Sequence, residues 1–186
     1  VLVIGWEKLN EGGATTGIIT AFDPVWERPS LAGALGPLAL MASMYSAKYG
    51  ITPEQAAKVT VKNRSNAASN VFQKKKLTDI TIDYVMSSQV ISYPLRLHDV
   101  CPQSEGACAL IFANGKEAKK ITDNPAWFQA LETAHYYTFG TDDKMYDLPT
   151  AKIASKKAYK KANISNPIKD LDVAEIYEPT SWSEVR

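Results

Sequence analysis

The sequence contains few of the residues that build metal sites and disulfide frameworks. It has two cysteines, Cys101 and Cys108, which lie seven positions apart without a CxxC pair. Its two histidines, His98 and His135, give no ligand spacing typical of zinc. We therefore expect no bound metal and no disulfide. A reducing, cytoplasmic setting is the default expectation for such a chain.

A strong net charge and a long apolar run are also lacking. The 21 basic and 20 acidic residues leave a formal net charge of +1, so no long-range field attracts nucleic acid or an anionic membrane. The longest apolar stretch, residues 35–44, is interrupted by Gly36 and Pro37 and is too short to span a bilayer. We expect neither a nucleic-acid partner nor a membrane partner.

The common motifs of nucleotide-binding proteins and hydrolases are missing too. No GxGxxG, GxxxxGK[ST] or GxSxG pattern occurs. Cys108 lies between alanines in the apolar run "GACAL", which predicts a buried, unreactive thiol rather than a nucleophile. Cys101 precedes Pro102 in a loop and is interpreted as structural. The two histidines receive the same structural interpretation.

What the sequence does contain is an alternation of apolar strands and helices, which predicts an α/β protein with buried strands. Composition indicates buried strands at residues 1–4, 106–113, 127–139 and 171–177. Helices are expected at 37–49, 53–61, 115–120 and 148–164, with a short one after Thr81. Residues 63–70 are polar and small and are expected to form a loop, and residues 94–105 an extended connector.

Local signals fix several helix ends. Thr52, Pro53 and Gln55 match an N-terminal capping box, and Gly50 is a natural stop for the preceding helix. The lysines of residues 148–164 lie mostly off the face shared by the small apolar residues. They could attract phosphates, but a solvated helix face is the favoured interpretation.

The segment "DVAEIYEPTSW" places Tyr177 and Glu178 at the end of a predicted strand, just before Pro179. Reactive groups of open α/β sheets gather beyond the carboxyl ends of strands. From the residues alone, a phenol that only caps the strand remains the simpler interpretation, and a site role stays open.

Four stretches resemble the thiolase superfamily, in particular its sterol-carrier-type and archaeal members. They are "VLVIGWEKLNE", "MYSAKYGITPEQAAKVTVKNRSNAASN", "DVCPQSEGACALIFANGKEAKKI" and "NPIKDLDVAEIYEPTSWSEV". Their order and spacing cover essentially the whole chain. The resemblance implies a layered α/β/α/β/α fold. It divides the chain into the end of the N-terminal half (1–5 and 106–122), a loop domain with its connector (6–105) and the start of the C-terminal half (123–186).

The resemblance also implies a chemistry, namely acyl transfer to or from coenzyme A, used as a substrate, with no bound cofactor. Tyr177 aligns with the Asn or His of the family's strand-end motif, and Glu178 with its acidic neighbour. Asn63 and Arg64 are expected to bind substrate, Arg64 replacing a histidine common in the family. The nucleophilic cysteine is expected before Val1, and the catalytic histidine and second cysteine after Arg186.

Several alternatives remain open at the level of sequence. The leading expectation is a thiolase-like β-ketoacyl-CoA acyltransferase. A retro-aldolase of the same fold acting on a β-hydroxyacyl-CoA, or a noncatalytic acyl-CoA-binding or scaffold subunit, would fit the same resemblance. Tyr177 followed by Pro179 resembles the subgroup that pairs with a small OB-fold, zinc-ribbon subunit. A homodimer is also expected, and the acyl chain is not specified.

Overall fold

The computed structural model describes residues 1–31, 33–73, 77–135 and 145–185. The strands are β1 (Leu2–Lys8), β2 (Val90–Ser92), β3 (Leu95–Arg96) and β4 (Glu105–Ile111). The helices are α1 (Ala14–Ile18), α2 (Leu35–Tyr49), α3 (Pro53–Ala67), α4 (Ile82–Met86), α5 (Gly115–Ile121), α6 (Pro149–Lys161), α7 (Pro167–Asp170) and α8 (Ser181–Glu184). Short 3-10 turns lie at Leu9–Glu11, Ile19–Ala21 and Leu97–Asp99.

The chain divides into two compact units. Unit 1 comprises residues 1–14, 103–136 and 149–174, and unit 2 comprises residues 15–102, 137–148 and 175–186. In the part of the chain that the structure describes, no helix has both the length and the apolar character needed to cross a membrane.

Unit 1 contains an antiparallel pair of strands, β1 and β4, in which Leu2 faces Ile111 and Lys8 faces Glu105. Strand β1 continues to Lys8, so the predicted end of this strand at residue 4 is wrong. The expected burial is wrong as well, because every residue of both strands is exposed. Cys108 is therefore an exposed thiol. The physical reason is that this sheet has only two strands within the described residues.

Two further predicted strands are absent from the described residues. Residues 127–135 and 171–177 have no strand conformation, and residues 136–139 of the first prediction lie outside the described part. Apolar composition alone predicted these strands, but a strand also needs a neighbour to satisfy its backbone groups. In the described residues neither segment has such a neighbour.

The two predicted helices of unit 1 are confirmed as α5 and α6, although α6 ends at Lys161 and not at residue 164, and α7 was not predicted. Helix α5 begins after Asn114, whose side chain accepts a hydrogen bond from the backbone N–H of Glu117 at 3.0 Å. Helix α6 covers 13 residues and carries the lysine-rich sequence "PTAKIASKKAYKK". The short helix α7 begins at Pro167, a position that favours a helix N-terminus because proline has no backbone N–H to satisfy.

Unit 2 is built around α3, whose start matches the sequence prediction. The Thr52 side chain accepts from the backbone N–H of Gln55, and the Gln55 side chain accepts from the backbone N–H of Thr52. Gly50 has φ 71°, the left-handed conformation that ends α2. Helix α3 runs on to Ala67, so the loop expected from residue 63 onward is wrong up to that point. The extra turn places residues 63 and 64 on a helix.

Two apolar clusters hold unit 2 together, one on each side of α3. Ala56 and Ala57 are neighbours on α3, and both are fully buried. Ala56 packs in a cluster with residues of α2, β3 and α8, namely Ala39, Ala42, Leu95 and Trp182. Ala57 packs in the other with Ile80 and Val85. The alanines let neighbouring elements approach α3 closely, which positions the C-terminal segment against it.

Candidate functional site

Unit 2 contains a cavity of about 230 Å³ where three segments meet. Helix α3 forms one wall, the turn at residues 98–102 forms the second, and the C-terminal residues 178–181 form the third. The lining residues are Val59, Thr60, Asn63, Arg64, Ala67, Gln73, His98, Asp99, Val100, Cys101, Pro102, Glu178, Pro179, Thr180 and Ser181. Three of the four site residues predicted from the sequence, Asn63, Arg64 and Glu178, are among them.

Backbone pairing fixes the third wall of the cavity. The backbone N–H of Cys101 donates to the carbonyl oxygen of Pro179 at 3.1 Å, and Val100 forms an antiparallel bridge with Thr180. These contacts hold residues 179 and 180 alongside the connector. Glu178, immediately before them, is half-buried at the cavity wall.

A buried carboxylate strengthens the same junction. Asp99 is 6% exposed, and its Oδ1 accepts a hydrogen bond from Ser181 Oγ at 2.8 Å. Its Oδ2 accepts from the backbone N–H of Arg96 at 3.0 Å. A buried carboxylate is tolerated only when such donors replace its water. Asp99 therefore joins α8 to the connector. Through these two hydrogen bonds it holds the C-terminal wall of the cavity in place.

Asn63 has an evident structural partner. Its Nδ2 donates to Oε2 of Glu184 at 2.9 Å, and Lys62 forms an ion pair with the same carboxylate. Both contacts join α3 to α8. One amide N–H of Asn63 is thus engaged within the protein, which leaves the other N–H and the side-chain carbonyl for a ligand.

Arg64 differs from Asn63 in this respect. It is half-buried at the cavity wall, and no carboxylate of the described residues lies within ion-pair distance of its guanidinium. A guanidinium presents five N–H donors in a planar fork that suits phosphate and carboxylate groups. The cavity therefore has a cationic wall that can accept an anion.

Tyr177 lies elsewhere. Its side chain is 85% exposed, and it is not among the residues that line the cavity. The structure thus brings together three of the four predicted site residues and does not place the phenol with them.

His98 and Cys101 were given structural roles from the sequence, yet both line the cavity. The His98 ring stacks on Tyr84 with centroids 4.8 Å apart, and its backbone carbonyl accepts from Thr60 Oγ1 at 3.2 Å. Both residues belong to an irregular connector, whose path through space has no periodic signal in the sequence. Residue spacing alone could not have placed them beside Arg64.

One titratable group near the start of α3 is clearly perturbed. The pKa of Glu54 lies below its ordinary value because its own backbone N–H and the Thr52 hydroxyl donate to the carboxylate, with a further contribution from the charge of Arg96. No cluster of three or more metal-ligating side chains occurs among the residues that the structure describes. The groups available for chemistry among the cavity's lining residues include the Arg64 guanidinium, carboxylates, the His98 imidazole and the exposed thiol of Cys101.

Comparison with known proteins relates the chain to CoA-dependent enzymes, although no family model matches it. An acetyl-CoA acetyltransferase of Methanocaldococcus jannaschii is 35% identical over 184 residues, covering 96% of this chain and 46% of the relative. The benzoylsuccinyl-CoA thiolase subunit BbsB of Thauera aromatica is 35% identical over 86 residues, covering 46% of this chain and 22% of the relative.

Among solved structures, an Ltp2-ChsH2(DUF35) aldolase has the same fold. It superposes with a TM-score of 0.64 over 87% of this chain and 44% of its own, at 23% sequence identity. The chain spans about half the length of the curated relatives it matches along its whole extent. Its mixed helix and strand architecture and these similarities show a thiolase-like α/β fold, and nearly the whole chain is similar in sequence to acetyl-CoA acetyltransferases.

Proposed function

We propose that the protein carrying this chain is a thiolase-like acyltransferase, which cleaves or forms a β-ketoacyl-CoA with coenzyme A. The observation that carries the proposal is the similarity along 96% of the chain to an acetyl-CoA acetyltransferase. Since the chain covers 46% of that relative, we assign the remaining catalytic groups to sequence beyond it. The reaction needs no bound cofactor, and coenzyme A enters as a substrate.

The reaction needs a cysteine nucleophile, and this chain does not provide one in a suitable position. A cysteine thiolate must attack the β-carbonyl carbon, so that the bond between the α- and β-carbons breaks and an enolate of a CoA thioester leaves. The acyl group then passes from the cysteine to the thiol of coenzyme A. Cys108 lies on β4 in unit 1 and Cys101 in an irregular turn. Neither lies at a helix N-terminus, where amide dipoles stabilise a thiolate, so we place the nucleophile outside this chain.

We assign Arg64 and Asn63 to substrate binding. The guanidinium of Arg64, unpaired among the described residues, would receive a phosphate of coenzyme A at the cavity wall. Asn63 would present its side-chain carbonyl and its second amide N–H, because the first N–H donates to Glu184. The cavity of 230 Å³ is smaller than the roughly 300–1,000 Å³ typical of whole ligand sites, as expected for part of a larger site.

We assign Glu178 and Tyr177 to the reacting end. Glu178 lines the cavity and would orient neighbouring groups, while the Tyr177 phenol would donate a hydrogen bond or proton to the reacting carbonyl. The exposure of Tyr177 leaves its hydroxyl available to groups contributed by the rest of the protein.

A retro-aldolase acting on a β-hydroxyacyl-CoA is the second candidate, favoured by the fold match to an aldolase and by similarity to a steroid side-chain-cleaving aldolase. The name of the matched aldolase pairs Ltp2 with ChsH2(DUF35). That pairing supports a partner subunit of this type, which we expect to be the OB-fold, zinc-ribbon subunit. We further propose that the protein forms a homodimer. We also propose a cytoplasmic location, because both cysteines are free, as is usual in a reducing compartment.

One assay separates these functions. The purified full-length protein is incubated with a β-ketoacyl-CoA plus coenzyme A, and separately with a β-hydroxyacyl-CoA, and thioester products are followed by chromatography. Thiolysis of the ketone supports the acyltransferase, and cleavage of the hydroxy compound without free coenzyme A supports the aldolase. Binding of both ligands with no turnover of either would support a noncatalytic subunit and contradict the leading proposal.

A further inference from the structure

A second concave site lies in unit 1, along α6 and the turn that follows it. The groove has a volume of about 490 Å³. It is lined by Lys152, Ser155, Lys156, Tyr159, Lys160, Ile164, Ser165 and Pro167. Tyr159, Ile164 and Pro167 are half-buried and give it an apolar floor, whereas the lysines are exposed at its rim. Its size matches that of small-molecule sites in proteins.

The charge of α6 is one-sided. The helix contains five lysines and no acidic residue. Lys152, Lys156 and Lys160 follow one another at intervals of four, which places them on one face and next to one another. Like charges at this spacing repel and destabilise a helix. A helix selected only for a solvated surface would normally interleave glutamates with the lysines.

The helix dipole explains only part of this pattern. Lysines in the last turn, Lys160 and Lys161, are favoured by the negative end of the helix. Lys156 lies before the last turn, where the dipole gives a cation little stabilisation. A negatively charged ligand in the groove would relieve the repulsion between Lys156 and Lys160, which both line it.

Two carboxylates of unit 1 have partners within the chain. Glu132 forms an ion pair with Lys161, which does not line the groove. Asp170 Oδ2 accepts from the backbone N–H groups of Ser165 at 3.0 Å and Asn166 at 2.8 Å. Among the described residues, neither Lys156 nor Lys160 has an ion-pair partner.

We propose that this groove binds a small molecule carrying two or three phosphate groups and a flat ring. The phosphates would contact Lys156 and Lys160, with the Ser165 hydroxyl as a further donor. The ring would lie against Tyr159 over the apolar floor. The groove belongs to unit 1 and the proposed acyl-CoA site to unit 2, so the two proposals stand or fall separately.

The test is calorimetric titration of the full-length protein with ADP, with tripolyphosphate as a ringless comparison. We expect the double variant K156Q/K160Q to weaken ADP binding about tenfold or more at low salt, because two charge-assisted contacts are lost. K156R/K160R, which keeps both charges, should retain binding. K157Q is the matched control, since Lys157 is an exposed lysine of the same helix that does not line the groove.

Tyr159→Leu should weaken ADP binding several-fold while leaving tripolyphosphate binding unchanged, with circular dichroism confirming that each variant is folded. An equal loss in K157Q and K156Q/K160Q would overturn the proposal, because it would indicate diffuse attraction to charge. Loss of ADP binding in R64Q but not in K156Q/K160Q would place the ligand at the unit 2 cavity and overturn it as well. Failure of the wild type to bind ADP would do the same, without bearing on acyl transfer.

Discussion

At the scale of single residues, the main distinction is between side chains engaged inside the protein and those left available. Asp99 and Asn63 both donate to or accept from neighbouring segments, so their first role is to hold the cavity together. Arg64 has no ion-pair partner among the described residues, and Tyr177 is exposed. These two are therefore where substitutions should affect function more than folding.

Tyr177→Phe tests the proposed role of the phenol in the full-length enzyme. Losing the hydroxyl should lower kcat at least about tenfold, a magnitude usual for a hydrogen bond or proton donor at a reacting carbonyl, with KM little changed. Tyr93→Phe is the matched control, because Tyr93 is also a highly exposed tyrosine of unit 2 and does not line the cavity. A wild-type kcat in the Tyr177 variant would remove this residue from the mechanism.

Glu54 gives a prediction about pH. Its pKa is lowered in the folded protein, so its carboxylate stabilises the fold above the unfolded-state pKa, and this contribution is lost as pH falls through the lower folded value. Across that acid range, the free energy of unfolding of wild type should therefore decline by more than that of Glu54→Gln. Urea unfolding at neutral and acid pH measures this. Parallel declines in the two proteins would contradict the assignment.

At the scale of elements, the short helix α8 is fixed to unit 2 by more than its four residues suggest. Trp182 is 3% exposed within the cluster formed with α2, α3 and β3. Ser181 and Glu184 add hydrogen bonds to Asp99 and Asn63. Since Glu178 lies three residues before α8, the docking of this helix determines where the third wall of the cavity stands.

Trp182→Ala should lower the free energy of unfolding by about 3–5 kcal/mol, because it empties a fully packed site. Trp182→Phe is the comparison, and it should cost clearly less, since the indole N–H is buried without a partner among the described residues. Circular dichroism during urea unfolding gives both values. Equal losses would show that the indole nitrogen has a partner after all.

The elements also show where sequence reasoning succeeds. The capping box at Thr52 and Gln55 and the left-handed Gly50 are encoded by a few adjacent residues, and both were predicted. The burial of β1 and β4 and the strand at residues 171–177 depend on which elements lie alongside, and both predictions failed. The cavity combines the two cases. Arg64 was predicted as a site residue from the family resemblance. His98 and Cys101 were not, because their place at the cavity depends on the path of the connector, which no local sequence signal indicates.

At the scale of the whole molecule, the two units offer different chemistry. Unit 2 carries a cavity with a cation, a carboxylate and a thiol at its walls, and unit 1 carries a lysine-rimmed groove. Strands β1 and β4 of unit 1 expose more apolar surface than is usual for a monomeric protein. Four of their side chains are more than half exposed, namely Leu2, Ile4, Trp6 and Ile111. Large exposed apolar surfaces of this kind are typical of sites where other polypeptide packs.

The central claim is that the unit 2 cavity forms part of an acyl-CoA site, and binding of coenzyme A to the full-length protein tests it most directly. Calorimetric titration of Arg64→Gln should show affinity for coenzyme A at least about tenfold below wild type, because a charge-assisted phosphate contact is lost. Lys58→Gln, an exposed lysine of the same helix α3 away from the cavity, should bind within about twofold of wild type at moderate salt. Wild-type affinity in the Arg64 variant, or an equal loss in both variants, would contradict the account.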